Sequence, residues 1–172
     1  MAQNDGQIRK DMFAKPTLTF TSTVDKNGVG AIMWKQQNAY RWVQNKHGSA
    51  LTVGQVCFHA DGDAANFFEK VYDGATGDLS FMAGVVQAAS LAADSYGWIQ
   101  IYGYYASISM YASGGTAIAV GDSLKGVNAK TYVVNGAATG TAPVHVRRII
   151  ALEALASSVT VATAKKGIIA CL

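Results

Sequence analysis

Hydrophobic and polar residues alternate in short runs broken by Gly, Asn and Asp, and that two-residue period predicts strands. The clearest run spans 96–111. There Trp98, Gln100, Tyr102 and Tyr104 alternate with Ile99, Ile101 and Gly103, and Ile108 and Met110 follow. A threonine-rich run within 13–24 sets Leu18, Phe20 and Ser22 opposite Thr17, Thr19, Thr21 and Thr23. Further strands are predicted at 41–44, at 51–58 with a break at Gly54, and at 67–71, 79–87, 117–120, 131–134, 144–151, 158–162 and 167–171. Lys26-Asn27-Gly28, Lys46-His47-Gly48, Ala60-Asp61-Gly62-Asp63, Asp73-Gly74 and Thr76-Gly77-Asp78 punctuate these runs as turns.

Two segments compete as helices. Residues 85–93 are rich in Ala, and 149–156 read IIALEALA with Glu153 on the polar side. Both are short for a stable helix and overlap β-branched runs. Residues 30–40 have no clean period, which leaves a short helix or a loop around Met33 and Trp34. The predicted fold is mostly β, a small β-barrel or β-sandwich-like module with an extended N-terminal arm. The arm is 1–30 and the single mostly-β domain is 31–172.

A weak internal repeat is visible, 40–95 against 96–172. Tyr40-Arg41-Trp42-Val43-Gln44 precedes Leu51-Thr52-Val53-Gly54-Gln55-Val56. Tyr96-Gly97-Trp98-Ile99-Gln100 precedes Ile118-Ala119-Val120-Gly121-Asp122-Ser123-Leu124. A second echo joins Gly84-Val85-Val86, ahead of Gly97-Trp98-Ile99-Gln100, to Ile149-Ile150-Ala151, ahead of Gly167-Ile168-Ile169-Ala170. Gly54 and Gly121 are placed in tight turns, where positive φ costs glycine nothing.

Composition sharpens this picture. The 172 residues include 18 Gly and 2 Pro, and only 15% are charged, well below a typical soluble domain. Much of the surface must therefore be small, neutral or apolar, which suits contact with a partner. The net charge of +3 is too small by itself to indicate a nucleic-acid binder. Its layout is basic–acidic–basic: seven basic and three acidic residues in 1–50, one and seven in 51–124, six and one in 125–172. Basic ends could lie on an acidic neighbour, including the middle of a second copy. The mixed-charge start lacks a signal-peptide pattern, and no apolar run approaches the ~20 residues of a spanning helix. The chain is read as made in the cytoplasm, with no membrane partner.

Candidate chemistry is sparse. Cys57 and His59 share a strand face but lack further ligands nearby, and His47 and His145 are distant in sequence, so no metal is expected. Asp61-Gly62-Asp63, with Asn66 and Glu69 beyond, lacks the order of a calcium loop. There is no nucleophile elbow and no phosphate loop. Asp61, Asp63, Glu69, Asp73, Asp78, Asp94 and Asp122 include no distinguished carboxylate pair. The expectation is a non-enzymatic protein without cofactors. Cys57 and Cys171 are expected as buried thiols.

Six aromatic residues crowd 96–111: Tyr96, Trp98, Tyr102, Tyr104, Tyr105 and Tyr111. Core packing, a protein interface and a sugar platform all suit them. Arg9-Lys10, Arg147-Arg148 and Lys165-Lys166 are pairs, not patches, and the aromatic middle is acidic, which argues against nucleic acid. The interface candidates are Arg9, Lys10, Phe13, Phe20, Trp98, Tyr102, Tyr104, Tyr105, Arg147 and Arg148.

Residues 83–172 resemble the small β modules of tailed-bacteriophage capsid decoration, or cement, proteins. The resemblance is carried by Gly84-Val85-Val86, Gly97 to Gly103, Val120-Gly121-Asp122-Ser123-Leu124, Ala151-Leu152-Glu153-Ala154 and Gly167 to Leu172. Tyr102, Tyr104 and Tyr105 depart from it, standing where small or aliphatic residues are usual. It implies a virion structural protein on the outer capsid surface, bound to the major capsid protein and to other copies of itself as a dimer or trimer. Met1 to Phe20 would be an arm ordered on assembly. The competing expectations are a carbohydrate-binding or host-adhesion module and a phage tail or baseplate subunit.

Overall fold

A computed structural model describes residues 17–59, 69–72, 81–127, 130–136 and 149–171. The described chain is mostly β, as its alternation predicts, and one short 3-10 turn, Ser113–Gly115, is its only helical element. Its axis is one long strand, β9 (Tyr96–Met110). Its first part pairs on one edge with β3 (Asn38–Asn45) and on the other with β7 (Met82–Val86). Its second part pairs with β13 (Thr163–Ala170).

Two circuits of pairing leave and return to β9. The first runs through β7, β5 (Val56–His59), β6 (Lys70–Tyr72) and β3. The second runs through β13, β12 (Ile149–Ala151), β10 (Ser123–Gly126) and β11 (Val133–Asn135). The return to β9 in the second circuit is the single pair Val133↔Met110, so the architecture is barrel-like without being a closed barrel. Small paired elements complete it: β1 (Thr21–Ser22) on β9, β2 (Ile32–Lys35) on β3, and β4 (Leu51–Thr52) on β8 (Ser90–Leu91).

The two circuits share one pairing scheme and a set of matching bonds. Gly54 N–H donates to Val86 O, and Val86 N–H to Gln55 O; Gly121 N–H donates to Ala151 O, and Ala151 N–H to Asp122 O. Gln87 N–H donates to Trp98 O as Leu152 N–H does to Lys166 O, and Lys46 N–H to Val71 O as Tyr111 N–H does to Val133 O. Leu51↔Leu91 matches the bridge Ile118↔Leu155. The expected turns hold in both copies: Gly54 has φ +83° and Gly121 φ +89°. In each, the residue after Gly donates its N–H three residues back, and its side chain accepts the N–H of that same residue, at 2.7 Å for both Gln55 and Asp122. The echo between Gly84-Val85-Val86 and Ile149-Ile150-Ala151 is thus a true equivalence.

The expected match of Tyr40–Gln44 with Tyr96–Gln100 is not an equivalence. Those segments pair antiparallel, Trp42 opposite Trp98, and the structural counterpart of β3 is the second part of β9. The repeat boundary accordingly falls inside β9, near Tyr102, rather than at residue 96. We call 38–102 the first half and 103–171 the second.

Several local expectations change. Residues 85–93 and 149–156 are not helical. Val85, Val86, Ile149 and Ala151 are buried ladder residues, and tertiary pairing overrides the helical propensity of the alanines. Residues 32–35 form a hairpin with β3, turning through Gln36 at φ 55°. Of the strand predicted within 13–24, the described part, 17–24, keeps only Thr21–Ser22; 117–120 is reduced to the Ile118 bridge, and 158–162 forms none. Residues 17–31 are not a loose arm, because they pack on the first half. The core joins both halves: Phe58, Val86, Ile99 and Ile101 cluster with Ile108, Leu124, Ile149 and Ile169, all fully buried.

Candidate interaction surfaces

Strand alternation sorts the aromatics of β9 by face. Ile99 and Ile101 point into the joint core, and a bulge opposite Lys165–Gly167 resets the alternation so that Ile108 and Met110 do the same. Trp98 lies on the other face but is buried at 4% exposure, its ring 5.2 Å from that of Trp42. It is therefore corrected from an interface candidate to a packing residue of a second, outer cluster with Tyr40 and Trp42.

The segment from Thr17 to Ala31 closes that outer cluster. Phe20 stacks on Trp42 with ring centroids 6.0 Å apart, and Tyr96 stacks on the same indole at 6.5 Å. Asp25 anchors the segment. Its carboxylate accepts the N–H groups of Asn27, Gly28 and Val29 and, at 2.9 Å, the indole N–H of Trp42. Burial alone would raise its pKa, but these four donors outweigh that and hold the carboxyl below its usual range.

Two aromatic residues of β9 do reach solvent, Tyr102 at 39% and Tyr104 at 49% exposure. Tyr102 meets Trp34, the most exposed aromatic side chain among the described residues at 59%, with rings 5.9 Å apart and tilted by 56°. Trp34 and the half-exposed Ile32 sit on β2, which among the described residues pairs with β3 alone and leaves its other edge open. Trp34 was missed as a candidate. Its signal was the Ile32-x-Trp34 alternation ahead of β3, masked because the turn uses Gln36 and Gln37 in place of Gly or Asn.

Tyr104 belongs to a different patch. Across the second half, Ser123, Ile150, Ile168 and Tyr104 stand opposite one another on successive strands, and Ile150 is 41% exposed. Lys166 and Ala170 flank Ile168 on the same exposed side of β13. A solvent-facing antiparallel sheet face is normally polar, so this row is out of place on a bare surface. Its equivalent in the first half is Val56, Val85, Gln100 and Tyr40, and that row is buried throughout. The second half covers its Val56 end, where Val56 N–H donates to Thr131 O and Gly126 packs on the Phe58 ring, while Tyr40 lies in the outer cluster closed by residues 17–31.

Of the remaining candidates, Tyr105 points inward and is half-buried against the joint core, and burial raises its phenol pKa. Phe20 is 44% exposed on its outer ring face. Arg9, Lys10, Phe13, Arg147 and Arg148 lie outside the described residues, as do Asp61, Asp63, Asp73 and Asp78. Among the described residues, no three His, Cys, Asp or Glu side chains gather as metal ligands, and no helix is long and apolar enough to cross a membrane. Asp94 pairs with Lys46, Asp122 accepts from Ala119 and Asn135, and Glu153 pairs with Lys165 at 2.8 Å. Cys57 and Cys171 are buried thiols, and burial pushes Cys57 well above the usual thiol range, which makes it a packing group.

No family model, curated protein or solved structure matches this chain.

Proposed function

We propose that this protein is a non-enzymatic structural component of a phage virion, a decoration or cement protein that binds the outer face of an assembled capsid and braces neighbouring capsomers. One observation carries the reading. Among the described residues, the open edge of β2 presents Ile32 and Trp34, with Tyr102 behind Trp34, on a barrel-like body. Rigid aromatic anchors beside an open strand edge suit docking on a flat protein lattice. Many modest contacts on a closed shell add through effective concentration, so each site need not be tight. The resemblance of residues 83–172 to cement modules supports the same reading.

The test is co-sedimentation with preformed empty shells of the virus encoding the chain. Saturable binding at fixed stoichiometry is expected, and Trp34→Ala should weaken it roughly ten- to a hundredfold, the usual effect of losing a central aromatic anchor. Absence of shell binding, or binding indifferent to Trp34→Ala and Ile32→Lys together, overturns the proposal. The Trp34–Tyr102 pair also favours a second reading, a glycan-binding module. Saturable glycan binding lost in Trp34→Ala, with no shell binding, would select it.

A further inference from the structure

The internal duplication leaves one inequality. Each half presents the same cross-strand row on its outer side. In the first half, Val56, Val85, Gln100 and Tyr40 are buried, the Val56 end beneath Thr131 and Gly126 of the second half and Tyr40 within the cluster closed by the N-terminal segment. In the second half, Ile150, Ile168 and Tyr104 are apolar and uncovered. We propose that this row is the docking face for a second copy of the same chain, joined head to tail, with the first half of one copy covering the second half of the next.

Three observations fix the occupant. The duplicated module already supplies the cover for the Val56 end of the equivalent row within the chain, so the matching cover is another such module. In that internal contact the covering element approaches through Thr131, ahead of β11, whose counterpart ahead of β6 is Glu69. Phe81, 46% exposed, accepts the His59 N–H and so lies at this same end of β5.

Charge agrees with that pairing. Residues 38–102 carry three basic and six acidic groups, whereas 103–172 carry six basic and two acidic. The bare row is flanked by Lys166, and the proposed covering surface contributes Glu69. A two-fold contact would instead set the Lys166 flank of one copy against that of the other. Head-to-tail contacts continue until a rotation closes them, so a small ring is the expected product.

This surface differs from the β2 edge assigned to shell binding, and the two proposals fail separately. Sedimentation velocity and native mass spectrometry of the purified chain over a concentration series should show a reversible oligomer. Ile168→Glu should shift its midpoint more than tenfold toward monomer with unchanged circular dichroism. Tyr104→Ser should do the same more weakly, and serves if Ile168→Glu misfolds.

Glu69→Lys and Lys166→Glu should each weaken assembly a few-fold. Combined in one chain they should restore it, because each contact then pairs swapped charges. Adding Ile168→Glu protein to wild type should shorten the assemblies, since the variant still offers its intact first half. A chain that stays monomeric throughout, an oligomer insensitive to both row variants, or a failure of the swapped chain to recover overturns the head-to-tail contact. Shell binding by the monomeric variants would at the same time leave the capsid proposal standing.

Discussion

Asp25 ties the N-terminal segment to the body through four donated hydrogen bonds, and its depressed pKa makes that attachment sensitive to acid. The stabilisation is complete above the ordinary carboxyl value of 3.8 and is lost as pH falls through the lower folded value. Asp25→Ala should cost about 1–2 kcal/mol, the range for a turn-capping carboxylate. Trp42 fluorescence should change on acidification of the wild type and lose that transition in Asp25→Asn.

Gly54 and Gly121 occupy the same turn at the same φ, yet their surroundings differ. A Cβ at Gly121 meets nothing within 4 Å, whereas one at Gly54 collides with the carbonyl of Ser107. Gly121→Ala should therefore cost only the conformational strain, about 1–2 kcal/mol. Gly54→Ala should cost clearly more, because backbone must also move. Urea denaturation of the two variants checks the ordering, and equal losses would contradict it.

At the scale of elements, β9 does the work of two strands. Its first part closes the first circuit, and its second part opens the next, with Gly103 at the junction. Gly103 has φ +99°, and an added Cβ would strike the Asn38 side chain and the Gln37 carbonyl. Gly103→Val should displace the two halves and expose the core, raising binding of a hydrophobic dye. Retained native near-ultraviolet circular dichroism would count against that role.

The strand content of β9 was legible because Trp98, Gln100, Tyr102 and Tyr104 alternate with Ile99, Ile101 and Gly103. Its change of partner at Gly103 was not, since a glycine within an alternating run says only that a special φ is available. The candidate surfaces were legible in the same partial way. Tyr102 and Tyr104 were marked by their crowding in 96–111, but Trp98 carries the same signal and is buried. Sequence spacing cannot tell which part of one strand face a neighbouring element will cover.

At the scale of the whole molecule, the joint core predicts cooperative unfolding. All three Trp residues, Trp34, Trp42 and Trp98, belong to the first half or its hairpin, while the second half has none. Tryptophan fluorescence thus reports one half, and far-ultraviolet circular dichroism reports both. Because Ile99 and Ile101 share a core with Ile108 and Ile169, the two signals should fall in one coincident transition. Two separated midpoints would mean that the halves unfold independently. Ile169→Ala, fully buried at the seam, should shift both signals together by about 2–5 kcal/mol.

The sequence by itself determined the β class, the turns at Gly54 and Gly121, and the echo between Gly84-Val85-Val86 and Ile149-Ile150-Ala151. Each follows from local chemistry: side-chain period, positive φ, and repeated order of residue types. Tertiary structure decided which strands are equivalent, because Tyr40–Gln44 and Tyr96–Gln100 look alike as neighbours in one ladder rather than as copies. It also decided which apolar rows are core and which are surface. Val85 and Ile150 hold the same ladder position and read the same in sequence, yet the second half lies over one and leaves the other bare. Burial depends on what the rest of the chain places on top, and no local pattern carries that information.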